Sequence, residues 1–258
     1  MKKGLLGVMI LCGLGFNLMA QVKKTPAKKP VSKTVNKPVS KAIAPAGSVT
    51  NQPWKNLATK ERLVEISTDY GTMVAKLYDH TPLHRNNFVK LVEEGFYDSL
   101  LFHRVIAGFM IQGGDPNSKN APDGTPLGSG SAPGERVPAE FKSNLFHKKG
   151  ALAAARDNNP EKASSNCQFY IVQGKKLNEQ ELEGQMGRIK QANPSFNYSA
   201  AQKEIYARIG GTPGLDQAYT VFGEVISGLD VIDLIAAVQK NAGDRPLQNV
   251  RMKMKMLN

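Results

Sequence analysis

Two cysteines, Cys12 and Cys167, are all that 258 residues contain, and Trp54 is the one tryptophan. Cys12 falls in an apolar run at the N-terminus. If that run is removed, Cys167 has no partner and no intramolecular disulfide can form, so the fold stands on its core alone. Arginine and acidic side chains are missing from the first 60 residues, which carry eleven lysines. The whole chain has 34 Lys and Arg against 22 Asp and Glu, so 23 basic and 22 acidic residues remain beyond that point. The net charge of +12 therefore belongs almost wholly to the front of the chain, and the basic face of a folded nucleic-acid binder is not indicated.

What the N-terminus does contain reads as export machinery. Met1-Lys2-Lys3 is a short positive region, Gly4 to Phe16 is apolar, and Leu18-Met19-Ala20 puts a small residue before Gln21. This pattern predicts a secretory signal peptide over 1–20 rather than a membrane span. Leu11 stands before Cys12 where a lipoprotein signal needs a small residue; an uncleaved anchor is the rival reading. Residues 21–56 are rich in Lys, Pro, Ala, Val and Ser without a sustained apolar period, which predicts a disordered tether with at most weak contact to anionic surfaces. The folded domain is expected over 57–258, in an exported protein of the periplasm or envelope, or a secreted one, and as a monomer.

From Arg62 onward short alternating segments dominate. Arg62–Thr68, Thr72–Tyr78, Gly150–Arg156, Gln168–Gln173, Thr220–Ile226 and Val250–Leu257 read as strands, and Leu101–Pro116 as one or two more. Thr81 and Pro82 open a helix ended by Gly95, with Phe88, Leu91 and Val92 on one face; Gly228–Val238 is a second, with Val231, Leu234, Ile235 and Val238 on its face. Many short strands and two helices without a βαβ rhythm predict a mainly β fold, a closed antiparallel barrel covered by helices. Residues of about 175–213 interrupt it as a helical hairpin. Leu182, Met186 and Ile189 line its first helix, Pro194 stops it, and Ser199 with Gln202 forms a capping box for the second.

The stretch LFHRVIAGFMIQGGDP (101–116) puts Arg104 and Gln112 among apolar residues, with no carboxylate, cysteine or serine before Asp115. Strict alternation puts Phe102, Arg104 and Ile106 on one side of a strand, and Met110 with Gln112 opposite Phe109 with Ile111, unless bulges blur the division. A buried arginine needs acceptors, and the Gln112 carbonyl is one, although on chemistry alone a rim ion pair with a carboxylate carries more weight. Gly128, Gly130 and Gly134 lack the Lys-Ser/Thr and strand-to-helix context of a phosphate loop. His80, His84 and His147 lack ligand spacing, so no metal or other cofactor is expected, and His103 reads as packing behind a strand.

Residues Phe102 to Asp115 resemble the signature of the cyclophilin-type peptidyl-prolyl isomerases. Ala153–Arg156 with Ser164–Ile171 resembles that family's second active-site segment, and Leu215-Asp216 with Tyr219–Gly223 its third. The resemblance implies an eight-stranded antiparallel barrel with two capping helices, and rotation about X–Pro bonds. It implies Arg104 as catalytic cation and Gln112 as its orienting partner. Phe109, Met110, Tyr170 and Leu215 would form an apolar proline pocket walled by Tyr219, while Gln168 and the backbone near Ala155 and Arg156 would hold the substrate main chain. Tyr219, Arg156, Tyr170, Gly214 and Ala107 depart from better-known members, where histidine, asparagine, phenylalanine, tryptophan and proline stand; none removes Arg104, Phe109 or Gln112. Proline-containing peptides and unfolded exported proteins are the implied partners, nucleic acid is not, and membrane contact is confined to an uncleaved signal or the basic tether. A proline-peptide-binding module or holdase with little turnover is the alternative.

Overall fold

The computed structural model describes residues 62–257. The signal peptide and the Lys/Pro-rich tether lie outside the described residues. Eight strands form one antiparallel sheet: β1 (Leu63–Thr68), β2 (Gly71–Leu77), β3 (Phe102–Ile106), β4 (Met110–Gly113), β5 (Ala151–Ala154), β6 (Phe169–Val172), β7 (Val221–Ser227) and β8 (Met252–Met256), in the order β3-β4-β6-β5-β7-β2-β1-β8. The sheet curls until its two edges approach. They meet through a single bridge, Leu101 with Arg251, flanked by backbone hydrogen bonds from Phe102 N–H to the Val250 carbonyl and from Met252 N–H to the Leu100 carbonyl, both 2.9 Å. The expected closed barrel is thus a curled sheet with a short seam, because the edge strands β3 and β8 share no continuous ladder.

Alternation along the strands supplies two apolar faces. The inner face holds the main core, with Ile66, Met73, Leu77, Phe102, Ile111, Leu152, Phe169 and Ile171. Helix α1 (Pro82–Glu93) adds Phe88, Val89, Leu91 and Val92 to it. The C-terminal helix (Leu229–Ala236) adds Val231, Ile232, Ile235 and Ala236. Leu234, expected on that helix's buried face, is 51% exposed, and Ile232 takes its place. Thr81 makes no side-chain cap on α1; the Glu140 carboxylate instead accepts the Leu83 and His84 N–H groups at 3.1 and 3.0 Å. A carboxylate at a helix N-terminus also meets the positive end of the macrodipole, and this one ties the long loop before β5 to the helix.

The insertion is a pair of helices, α2 (Glu179–Ala192) and α3 (Ala200–Arg208), so the C-terminal helix above is α4. Both begin with a capping box, Asn178 with Glu181 and Ser199 with Gln202. Leu182, Met186 and Ile189 face Phe196, Tyr198 and Tyr206 in a third small core, against which Phe146 packs. The chain leaves and re-enters the sheet where the backbones of Gly174 and Gly211 touch, and Gly174 has φ +64°. A Cβ there would collide with backbone and strain the dihedral, so Gly174→Ala is expected to lower unfolding free energy by about 1–3 kcal/mol in urea titration.

Candidate active site

The route by which Arg104 reaches the outer face is local. Between Phe102 and Arg104 the register of β3 on β4 slips. Phe102 and Val105 then both enter the main core, while Arg104 and Ile106 turn outward, correcting the expectation that Phe102 shares their side. Across the ladder Arg104 stands opposite Gln112, Gln112 opposite Tyr170, and Tyr170 opposite Ala153. Opposed residues share a face, so four strands deliver their side chains to one patch. Phe109 precedes β4 in a turn at Gly108 (φ +73°), and its N–H donates to the Ile106 carbonyl at 3.0 Å. That turn swings the ring back to the outer cluster of Met110, Ala153, Tyr170 and Val221, away from Ile111.

Arg104, Phe109, Met110, Gln112, Ala155, Arg156, Tyr170, Leu215 and Tyr219 line one cavity of about 100 Å³. Gln168 lies beside it, in a wider cavity of about 520 Å³ that shares Gln112, Ala155 and Arg156. All ten residues singled out from the sequence therefore converge. The arginine is positioned by a relay of amides rather than by an ion pair: its Nη1 donates to Gln112 Oε1 at 3.4 Å, and Gln112 Nε2 donates to Gln168 Oε1 at 3.2 Å. Gln168 Nε2 ends the relay on the Gly128 and Gly130 carbonyls, at 2.9 and 2.8 Å. A guanidinium keeps its proton in proteins, so the rim carries a fixed positive charge with donors to spare.

Gln168 spends its amide on Gln112 and the loop, and so braces Gln112. The Ala155 N–H donates to the Gln168 carbonyl at 2.9 Å, and its own carbonyl accepts from Ser165 N–H at 2.8 Å. The next residue along the cavity wall is Arg156. Its side chain lies 4.6 Å from the centre of the Tyr219 ring, with Nε donating to the Ala218 carbonyl at 3.1 Å and Nη1 to the Asp157 carbonyl at 2.9 Å. Held in this way it forms part of the cavity wall.

Two histidines matter more than their sequence positions suggest. His147 Nε2 lies 2.9 Å from the Tyr170 hydroxyl, and Nδ1 lies 2.6 Å from Asp216 Oδ1. Burial first, and then the neighbouring Tyr219 and Asp216, push the Tyr170 hydroxyl well above the usual tyrosine range. It keeps its proton and donates to Nε2, which puts the Nδ1 proton on the Asp216 side. His84 makes a parallel arrangement, with Nε2 2.9 Å from Ser164 Oγ and Nδ1 2.7 Å from Glu140 Oε2. Its geometry is that of a Ser-His-carboxylate triad, but Ser164 is 1% exposed and no acyl donor can reach it. It fastens the loop.

A family model, cyclophilin type peptidyl-prolyl cis-trans isomerase, matches residues 63–256. A peptidyl-prolyl cis-trans isomerase relative from Staphylococcus epidermidis is 36% identical over 205 residues, covering 78% of this chain and 95% of its own length. A Streptococcus pyogenes relative described as a bifunctional phosphatase/peptidyl-prolyl cis-trans isomerase is 38% identical over 190 residues, and the match spans 72% of this chain but 37% of that protein. Among solved structures, a cyclophilin type peptidyl-prolyl cis-trans isomerase of Cryptosporidium parvum superposes with a TM-score of 0.54 at 21% identity, over 77% of this chain and 98% of that one. That protein has also been crystallised in the presence of the dipeptide Ala-Pro. The site and its curled eight-stranded scaffold define a prolyl isomerase. The chain belongs to the cyclophilin-type peptidyl-prolyl cis-trans isomerase family.

Proposed function

We propose that this isomerase acts on unfolded exported proteins, and that Arg104 is the group that accelerates X–Pro rotation. The barrier to that rotation is about 18–20 kcal/mol because the C–N bond is partly double. Twisting the bond breaks the resonance and localises a lone pair on the proline nitrogen. A guanidinium beside that nitrogen favours the twisted state over both planar states, with no proton transfer. Phe109, Met110, Tyr170 and Leu215 grip the ring while the preceding residue turns, and the Arg156 backbone holds the adjoining main chain. The observation that carries this reading is the braced Arg104 at the rim of a cavity whose floor is apolar.

The export part of the proposal rests on the sequence pattern over 1–20 and the lysine-rich tether over 21–56. It assigns the folded domain to a compartment outside the cytoplasm, where exported chains emerge. Refolding of a protein limited by X–Pro isomerisation tests the enzyme against the binding-module alternative. The slow phase should shorten in proportion to the amount of isomerase; peptide binding with an unchanged slow phase would favour the binding module. N-terminal sequencing of the exported chain should begin at Gln21, and an intact Met1 on a cytoplasmic protein would overturn the localisation.

A further inference from the structure

The helical hairpin is wired to the pocket through buried polar groups. Asp216 directly follows the pocket residue Leu215, and His147 directly follows Phe146, which packs in the hairpin's core. Asp216 is 3% exposed and His147 wholly buried, so each must satisfy its polar atoms within the protein. Asp216 Oδ1 accepts from the His147 backbone N–H at 2.8 Å as well as from its ring. Oδ2 accepts the Tyr198 and Tyr206 hydroxyls at 2.6 and 2.5 Å. The carboxylate thus takes four donors, as many as its lone pairs accommodate, and two of them come from the hairpin. From there the chain runs through His147 to the hydroxyl of Tyr170, whose ring lines the cavity.

We propose that Asp216 and His147 are positioning residues through which Tyr198 and Tyr206 of the inserted hairpin set the orientation of the Tyr170 ring. The insertion thereby tunes how tightly the pocket holds proline. The inference rests on the reading of this cavity as the proline pocket. A buried tyrosine hydroxyl has few orientations that satisfy it, so its bond to His147 Nε2 fixes the ring, and the position of His147 is in turn fixed by Asp216. Arg104 is braced from the other side, through Gln112, Gln168 and the Gly128 and Gly130 carbonyls, and shares no member with this chain. The hairpin's influence therefore falls on binding rather than on the rotation step.

The test uses the full chain and a proline tetrapeptide, with KM and kcat measured separately and the thermal midpoint recorded for each variant. Tyr198→Phe with Tyr206→Phe keeps both rings and removes only their hydroxyls. KM is expected to rise about fivefold, the effect of one lost interaction in a coupled buried network, while kcat stays within about twofold. Tyr170→Phe should raise KM to a similar degree, and combining it with the hairpin pair should add nothing further. Tyr206→Phe alone, which leaves Tyr198 on Oδ2, supplies the same comparison should the pair fail to fold. A wild-type KM in the hairpin variants, or effects of Tyr170→Phe and the hairpin pair that simply multiply, would overturn the proposal. A wild type that does not isomerise the peptide would instead remove the pocket reading on which it rests.

Discussion

Arg104→Ala is expected to lower kcat for a proline tetrapeptide by about 10²–10³-fold, the range seen when one preorganised donor is removed from a transition-state site, or about 3–4 kcal/mol. The loss should be confined to catalysis. Arg104 projects from the outer face of β3, while its neighbours Phe102 and Val105 are the ones that fill the main core. Truncation therefore opens no cavity inside the sheet, and stability should change by no more than about 0.5 kcal/mol. Its partner Gln112 keeps the bond to Gln168. Arg104→Lys retains the charge but not the planar fork that meets Gln112 Oε1, so an intermediate loss of about tenfold is expected. Equal kcat values for wild type and Arg104→Ala, measured by direct isomerisation at saturating peptide, would contradict the assignment.

Acidification should destabilise the fold through His103, next to Arg104 in sequence but turned into the protein. Among the described residues neither ring nitrogen has a partner at good hydrogen-bonding geometry. Burial is the main cause that pulls its pKa down to about 4; the Asp115 charge opposes the shift, and Arg104 and Arg245 add to it. Above pH 6.5 the ring is neutral in both folded and unfolded chains and contributes no pH dependence. Below that, the unfolded chain binds the proton first, so stability falls as pH drops from about 6.5 toward 4, by about 3 kcal/mol in all. His84 is lowered as well, chiefly by burial and against the pull of Glu140, and adds to the same trend. Since domains of this size are stable by only about 5–15 kcal/mol, the effect is a large share of the total. His103→Leu removes the titrating group. Urea unfolding at pH 7 and pH 4.5 should show the wild type losing about 2–3 kcal/mol more than the variant. Equal losses would place the acid sensitivity elsewhere.

Local signals carried much of this architecture. Ser199 and Gln202 are three residues apart and announce the start of α3 by themselves, and the alternation of Met252, Met254 and Met256 marks β8. Arg104, Phe109, Met110 and Gln112 sit within nine residues, so their association needs little more than one turn between two strands. What escaped the sequence involves long separations or small slips of register. Glu140 caps α1 from 56 residues away, and no local pattern names it. His147 meets Tyr170 and Asp216 across 23 and 69 residues, so a histidine marked in the sequence only by its lack of ligand spacing is the centre of a buried network. Phe102 changed faces because one slip undid the alternation on which the sequence reading depends. The seam between β3 and β8 is set by how far the sheet curls, which periodicity along one strand does not encode.

The most direct test of the account separates binding from rotation on one sample. Exchange NMR on an Ala-Pro tetrapeptide reports the cis–trans rate, and titration of the same peptide reports affinity. The wild type should bind the peptide and exchange it well above the uncatalysed rate. Arg104→Ala should bind with affinity within a fewfold of wild type, about 1 kcal/mol or less, yet exchange about 10²–10³-fold more slowly. A variant that binds and exchanges like the wild type would show that the fixed charge of Arg104 does not stabilise the twisted bond.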